Sequence, residues 1–298
     1  MTAGPAGAPK RAAVHGLAVV DKPTGWTSHD VVARCRRLLG TRKVGHSGTL
    51  DPGATGVLLV GAGHATRLLR FLGDLPKTYV GEVVLGATTT TLDDEGEVLD
   101  RFPMEGATLE AARVASSALV GDIEQVPPMV SAVQIGGQRL HDLARQGIEI
   151  HREPRPVTVH SLRLDATDDP LVLRLAVTCS TGTYVRVLAA DMGALLGGGA
   201  HLRRLRRMAI GPFDEAAATP LDEVGPHSLL PALAAVAHLN RVAVAEEGAA
   251  DIRHGKVLPA FEGEGPWAVT GPDGSLLAVY EPYRPGLAKP SVVLPPDS

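Results

Sequence analysis

Cysteine is nearly absent from this sequence: Cys35 and Cys179 stand far apart, without the close spacing of a metal-binding pair. That excludes a disulfide framework and points to reduced thiols in a cytosolic protein. Aromatic residues are also scarce, with four Phe, four Tyr and two Trp in 298 residues. Each aromatic beside a motif is therefore informative. No apolar run reaches the ~18 residues of a membrane span. Residues 1–14 are rich in Ala, Gly and Pro but lack the apolar stretch of a signal peptide, and read as a disordered tail. An excess of positive charge is missing too, since the net charge is −4. Only local basic patches can then announce nucleic acid. The patterns G-x-x-x-x-G-K-[ST], H-E-x-x-H and C-x-x-C do not occur, so nucleotide, zinc-protease and redox readings lose their usual support.

What is present is a hydrophobic fraction of 44%, ample for a large domain and a small one. The most unusual stretch is Lys43–Val60, which includes Gly45, His46, Gly48, Asp51, Pro52, Gly53 and Gly56 and ends in an apolar run. Its glycines allow positive φ and close backbone approach. Pro52 fixes its own φ and pushes Asp51 out of the helical region. Val57–Val60 reads as a buried strand. A rigid loop carrying one acid beside a core strand suits a nucleophile or general base. A bare Asp-Pro-Gly, taken alone, reads first as a tight turn with a capping acid.

Around this loop, Gly16–Asp21 reads as a first strand. Ser28 is the expected cap of a helix whose apolar face is Val31, Val32, Cys35, Leu38 and Leu39, closed by Gly40. Arg34, Arg36, Arg37, Arg42 and Lys43 form a basic cluster, which by itself reads as a solvated face. A helix is expected over about 65–72, with Arg67 and Arg70 on one side. Lys77–Gly86 alternates as a strand, and Asp93, Asp94 and Glu95 read as a solvated turn. Thr108 caps a further helix. The irregular stretch 127–153 is long enough to be a binding loop. Val157–Leu164 and Leu171–Cys179 read as antiparallel strands, Ser180–Arg186 as a turn and strand end, and Leu188–Leu196 as a helix. Residues His201–Met208 hold Arg203, Arg204, Arg206 and Arg207. A helical segment is expected from Thr219 to about Leu239. Short strands with Gly and Pro turns then suggest a small β domain over 239–298.

If the strands form one sheet, Asp51, Tyr79, Tyr184 and Arg186 converge. Arg186 would favour the carboxylate form of Asp51 and orient it. Tyr79 would offer a flat face to a base. The arginines at 203, 204, 206 and 207, and those on the first two helices, would hold phosphates. Taken singly, each residue has an ordinary structural reading.

Five ordered blocks resemble the TruB family of tRNA pseudouridine synthases. They are Val19-Asp21-Lys22-Pro23-Gly25; Gly45-His46-Ser47-Gly48-Thr49-Leu50-Asp51-Pro52 with Ala54-Thr55-Gly56-Val57-Leu58; Lys77-Tyr79; Ser131-Ala132 with Ala144-Arg145-Gly147; and Gly182-Thr183-Tyr184-Val185-Arg186. The resemblance covers about residues 16–215. It implies an α/β (α+β) fold with a central mixed, largely antiparallel sheet flanked by helices. A catalytic domain would span 15–238, with a thumb insertion at 127–153. A PUA-like RNA-binding domain would follow at 239–298, on the weaker match of Ile252 and Gly255-Lys256-Val257-Leu258.

The resemblance also implies roles. Asp51 would be the catalytic aspartate, Arg186 its ion-pair partner, and Tyr79 a stacking group placed for proton transfer. Tyr184 and Leu205 would line the pocket. His46 would stand near the vacated base position, and Lys22 and Arg67 would be basic site residues. The thumb arginines Arg139 and Arg145 imply a stand-alone enzyme that needs no guide RNA or protein partner. Val130 stands where the family often has Tyr, a departure confined to the thumb. The implied reaction converts uridine 55 in the T loop of tRNA to pseudouridine after base flipping. It needs no cofactor and no metal. A monomer in the cytoplasm, with a second role as a tRNA folding factor, completes the expectation. The rivals are a non-catalytic tRNA-binding protein on the same scaffold and an aspartate-based nucleoside hydrolase.

Overall fold

The structure, a computed structural model, describes residues 14–129 and 150–296, together with the backbone of 134–135 and 138–139. Its main sheet follows the order Thr219–Pro220, Gly16–Lys22, Thr55–Ala62, Ala200–Ile210, Lys77–Leu85, Val172–Cys179, Arg155–Ala166, Gly121–Gln125. Two junctions are parallel: Gly16–Lys22 with Thr219–Pro220, and Thr55–Ala62 with Ala200–Ile210. The other neighbours along this path run antiparallel. The sheet is therefore mixed and largely antiparallel, as the resemblance implied.

One edge of strand Thr55–Ala62 is shared. Its far end pairs with Val44–Ser47, and its near end meets Arg206 and Arg207 of the strand Ala200–Ile210. The loop 48–54 connects Val44–Ser47 to Thr55–Ala62, so it lies where the two partners change over. Helix Ser28–Leu39 covers this region, packing Val31, Val32, Cys35 and Leu39 on Ala18, Val20, Leu58 and Val60. A second cluster packs helices Leu109–Ser117 and Val185–Leu195 against the other strands, with Val83, Leu164, Leu175 and Leu188 at its centre.

Several element boundaries differ from expectation. Thr27, not Ser28, caps the first helix, because Asp30 completes a capping box with it. Ser28 has no acid three residues on, and its hydroxyl is used elsewhere. Thr108 does cap its helix. The helix expected at Leu188 begins at Val185, so Arg186 lies in its first turn and not at a strand end. The helix expected over 65–72 is two 3₁₀ turns, Gly63–Arg67 and Leu69–Leu72. Gly63, at φ 59, and Gly73 bracket a segment too short to repay α-helix nucleation. The segment 219–239 holds 3₁₀ turns at Leu221–Glu223, Pro226–Ser228 and Ala232–Val236 in place of one helix. Pro220, Pro226 and Pro231 interrupt any continuous α ladder there.

The second sheet has five strands in the order Asn240–Ala243, Trp267–Thr270, Leu276–Pro282, Leu287–Val293, Leu258–Pro259. It also carries a helix, Glu246–Arg253, that the sequence reading lacked. One side of this sheet keeps its own interior, where Ala249 and Ile252 of that helix meet Trp267, Val269, Leu277, Tyr280 and Ala288, and the other side is shared. Ala268, Leu276, Val279, Val292 and Leu294 join one apolar cluster with Leu17, Val19, Val57 and Leu59 of the main sheet. Within the insertion 127–153, Gln134–Ile135 pairs with Gln138–Arg139. Arg145, the helix expected near it, and the Arg139 side chain lie outside the described residues.

Candidate active site

The loop that bears Asp51 is held carbonyl by carbonyl. Gly48 O accepts from Arg207 Nη2 at 3.0 Å and Thr49 O from Arg207 Nη1 at 3.4 Å. Leu50 O accepts from Ser28 Oγ at 3.2 Å, and Leu50 N returns a bond to that oxygen at 2.9 Å. Asp51 O accepts from Ala54 N at 3.2 Å, and Pro52 O from Gly25 N at 2.9 Å and Lys22 Nζ at 3.1 Å. Gly53 O accepts from Thr24 Oγ1 at 3.3 Å. Positive φ is needed at Gly48 (81°) and Gly56 (99°), whereas Gly45 and Gly53 do not adopt it. At Gly56 a Cβ would stand 2.2 Å from Arg207 O, so glycine there permits the strand contact.

Arg186 comes to Asp51 from the helix Val185–Leu195. Its Nη2 lies 3.0 Å from Asp51 Oδ2 and its Nη1 3.4 Å from Asp93 Oδ2. Nη1 also donates to Thr91 O at 2.7 Å. Asp93, expected in a solvated turn, is thus largely buried and shares Arg186 with Asp51. Its partner lies 93 residues further along the chain, which no local pattern reveals (186 − 93).

Beside this pair opens a cavity of about 220 Å³. Asp51, Tyr79, Tyr184, Arg186 and Leu205 all line it, so the residues predicted to converge do meet. Tyr79 is buried, which pushes its phenol pKa up, while the adjacent Arg207 guanidinium acts against the shift. Tyr184 is held through its backbone: its N–H donates to Gln125 Oε1 at 2.9 Å, and its carbonyl accepts from Gln125 Nε2 at 3.4 Å. Leu205 reaches the cavity from a break in register between Arg203 and Arg206. Arg204 adopts φ 54 within that break, an uncommon conformation for a side-chain-bearing residue.

Other expected site residues sit differently. Lys22 is fully buried, and its ammonium donates to the carbonyls of Pro23, Trp26 and Pro52. Burial lowers its pKa to about 8, against the opposing pull of Asp51. It supports the loop from beneath and does not face the cavity. Arg67 donates to Val293 O at 2.6 Å, binding the second sheet to the first. Arg203 and Arg204 both pair with Glu82, while Arg206 pairs with Asp21 and Glu215. Arg207 is buried, and besides the loop carbonyls it donates to Val57 O at 2.7 Å. Its guanidinium therefore supports the loop, and it also lines the cavity. His46 stands edge-to-face with His29 at 5.5 Å, outside the cavity lining. Among the described residues its buried Nδ1 has no hydrogen-bond partner, and its pKa is lowered to about 4, first by burial and then by His29 and Arg207. Sequence reasoning missed Asp93, Gln125 and the supporting roles of Ser28 and Arg207. The fork of five donors on Arg207 was legible as chemistry, but not its direction.

The family model described as TruB family pseudouridylate synthase (N terminal domain) matches residues 36–185. The chain belongs to the TruB family. Two further models match C-terminal parts: the tRNA pseudouridylate synthase B C-terminal domain over 186–230, and tRNA Pseudouridine synthase II, C terminal, over 239–295. Among TruB relatives, the tRNA pseudouridine synthase B of Thermobifida fusca (strain YX) is 46% identical over 289 residues, covering 93% of this chain and 98% of the relative. That of Leifsonia xyli subsp. xyli (strain CTCB07) is 46% identical over 296 residues, covering 95% and 97%. A chain in the crystal structure of a Cbf5-Nop10-Gar1 complex superimposes with a TM-score of 0.69 at 27% identity, covering 89% of this chain and 78% of that one. A chain of an H/ACA RNP bound to a substrate RNA containing 2'-deoxyuridine gives 0.67 at 24% identity over 89% and 77%, a likeness of fold. TruB membership makes the chain a pseudouridine synthase, an isomerase.

Proposed function

We propose that this enzyme converts uridine 55 in the T loop of tRNA to pseudouridine, with Asp51 as the catalytic carboxylate. The observation that carries the reading is the Asp51–Arg186 pair at 3.0 Å on the wall of a cavity lined by Tyr79, Tyr184 and Leu205. The reaction breaks the N1–C1′ bond of uridine, turns the base and joins C5 to C1′. The C5 proton is lost and N1 gains one, so no electrons leave the substrate. Arg186 orients the carboxylate. Tyr79 stacks on the flipped base, a contact of roughly 1–3 kcal/mol by alanine substitution. It also stands where a proton leaving C5 can be passed on. Leu205 and Tyr184 close the sides, and His46 stands near the position the base leaves.

The substrate reading draws on the relatives named tRNA pseudouridine synthase B, which match nearly end to end. The same matches favour a chain acting on tRNA without guide RNA; a monomer in the cytoplasm completes the proposal. Residues 15–238 would form the catalytic unit, and the sheet at 239–298 would add RNA contacts in the manner of a PUA domain. Incubation of the purified chain with unmodified tRNA transcript, followed by chemical mapping of pseudouridine, tests this. Product at the T-loop uridine is expected. Folded protein that leaves that uridine unchanged would sink the assignment.

A further inference from the structure

The run Arg203–Arg207 is spent inside the fold. Arg203, Arg204 and Arg206 meet Glu82, Asp21 and Glu215, so their positive charge is offset one for one. Arg207 is occupied by carbonyls. The strongest sequence signal for phosphate binding therefore presents little free charge.

A second basic cluster behaves differently. Arg36 and Arg37 end the helix Ser28–Leu39, and Arg42 and Lys43 follow at once. All four are exposed. Arg36 donates to Val44 O at 3.2 Å. Among the described residues, the side chains of Arg37, Arg42 and Lys43 make no hydrogen bond and no ion pair, and no carboxylate pairs with Arg36. The backbone beneath them is fixed. Gly40 closes the helix at φ 63, Thr41 N donates to Arg36 O at 3.2 Å, and Lys43 O accepts from Gly63 N at 2.8 Å. This is a set of unpaired cations on a rigid support.

Its place in the chain matters. Lys43 leads directly into the strand Val44–Ser47 and then the Asp51 loop. Lys43 and Asp51 are eight positions apart (51 − 43). Even fully extended they span at most about 28 Å. One RNA can therefore occupy the cavity and reach the cluster. The segment 36–43 has no aromatic residue, and its two leucines are half-buried or buried, so it offers charge without stacking or apolar insertion. That chemistry suits phosphodiester groups and not bases or lipid chains.

We propose that Arg37, Arg42 and Lys43 grip the sugar–phosphate backbone of the RNA on the flank of the nucleotide that enters the cavity. The proposal rests on the reading of this chain as an RNA-modifying enzyme, and it names where the electrostatic affinity comes from. The test is a salt titration of binding to unmodified tRNA transcript by the parent and by the R37Q/R42Q/K43Q variant. Glutamine keeps the length of these exposed side chains, and a melting curve checks the fold. Each cation lost should reduce the slope of log affinity against log salt by about 0.7–0.9. The variant should thus bind more weakly at low salt, with a slope shallower by about 2–3. An unchanged slope in a folded variant would overturn the proposal. Turnover of the parent on the same transcript reports on the functional reading separately. A parent that makes no pseudouridine, yet shows the slope difference, loses the reaction and keeps the RNA grip.

Discussion

Arg186 is only 5% exposed where it pairs with Asp51, whereas Asp51 is 42% exposed. The cation is fixed in the protein and the acid faces the cavity. Exposure of one partner makes the carboxylate available to a substrate, and burial of the other sets its direction.

Asp51→Asn keeps the shape of the loop and removes the charge. The variant should bind tRNA transcript with near-parental affinity and form no pseudouridine. Appreciable single-turnover product would remove Asp51 from the nucleophile role.

Asp93→Asn tests the shared arginine. If Asp51 bonds to substrate it loses its charge, and Arg186 then needs the Asp93 carboxylate at 3.4 Å. A buried cation left without a partner is costly. Turnover should fall about 10²-fold, the scale of a small misplacement of a catalytic group, with tRNA affinity retained. Parental kcat in this variant would mean that Asp51 alone is sufficient for Arg186.

Arg207→Met removes the donors to Gly48 O, Thr49 O and Val57 O. Loss of charge-assisted bonds of this kind costs about 2 kcal/mol or more. Denaturant unfolding should show that loss, and turnover should drop with it. A variant that kept stability and merely bound RNA less tightly would restore Arg207 to the phosphate contacts.

His46 supplies a pH dependence of stability. Burial holds its imidazole neutral, with a pKa lowered from 6.5 to about 4. The unfolded chain takes up this proton near pH 6.5 and the folded chain does not, so folding stability declines as pH falls from about 6.5 towards 4. His46→Gln removes the contribution. Melting temperatures of parent and variant from pH 7 to pH 5 should diverge in favour of the variant on the acid side. Parallel curves would show that the ring is not held neutral.

Deleting 240–298 should disturb the main sheet. It exposes Leu17, Val19, Val57 and Leu59, which share a cluster with Ala268, Leu276, Val279, Val292 and Leu294. Val57 also provides the carbonyl that holds Arg207. Melting temperature and single-turnover rate should both fall. A truncated chain with parental stability would show that the shared cluster contributes little.

Asp51, Tyr79, Tyr184 and Arg186 were legible as a set only through the ordered motifs of the family resemblance; taken singly, each kept an ordinary structural reading. Long charged side chains were not legible. Lys22, Arg67 and Arg207 read as cationic site residues, yet each turns to a backbone carbonyl, a choice set by tertiary packing. Asp93 looked solvated because its guanidinium partner is remote in sequence. The apolar pattern at 219–239 resembled a helix, and the prolines at 220, 226 and 231 decided otherwise.

With each carbonyl from Gly48 to Gly53 already engaged, the Asp51 loop has little slack for reshaping around a substrate. The conformational work of bringing a base to Asp51 then falls on the RNA. Two RNAs with the same uridine and the same flanking sequence would be told apart by how easily their loops unstack. Selectivity of this kind follows the mechanical compliance of the substrate, with the protein acting as a fixed gauge.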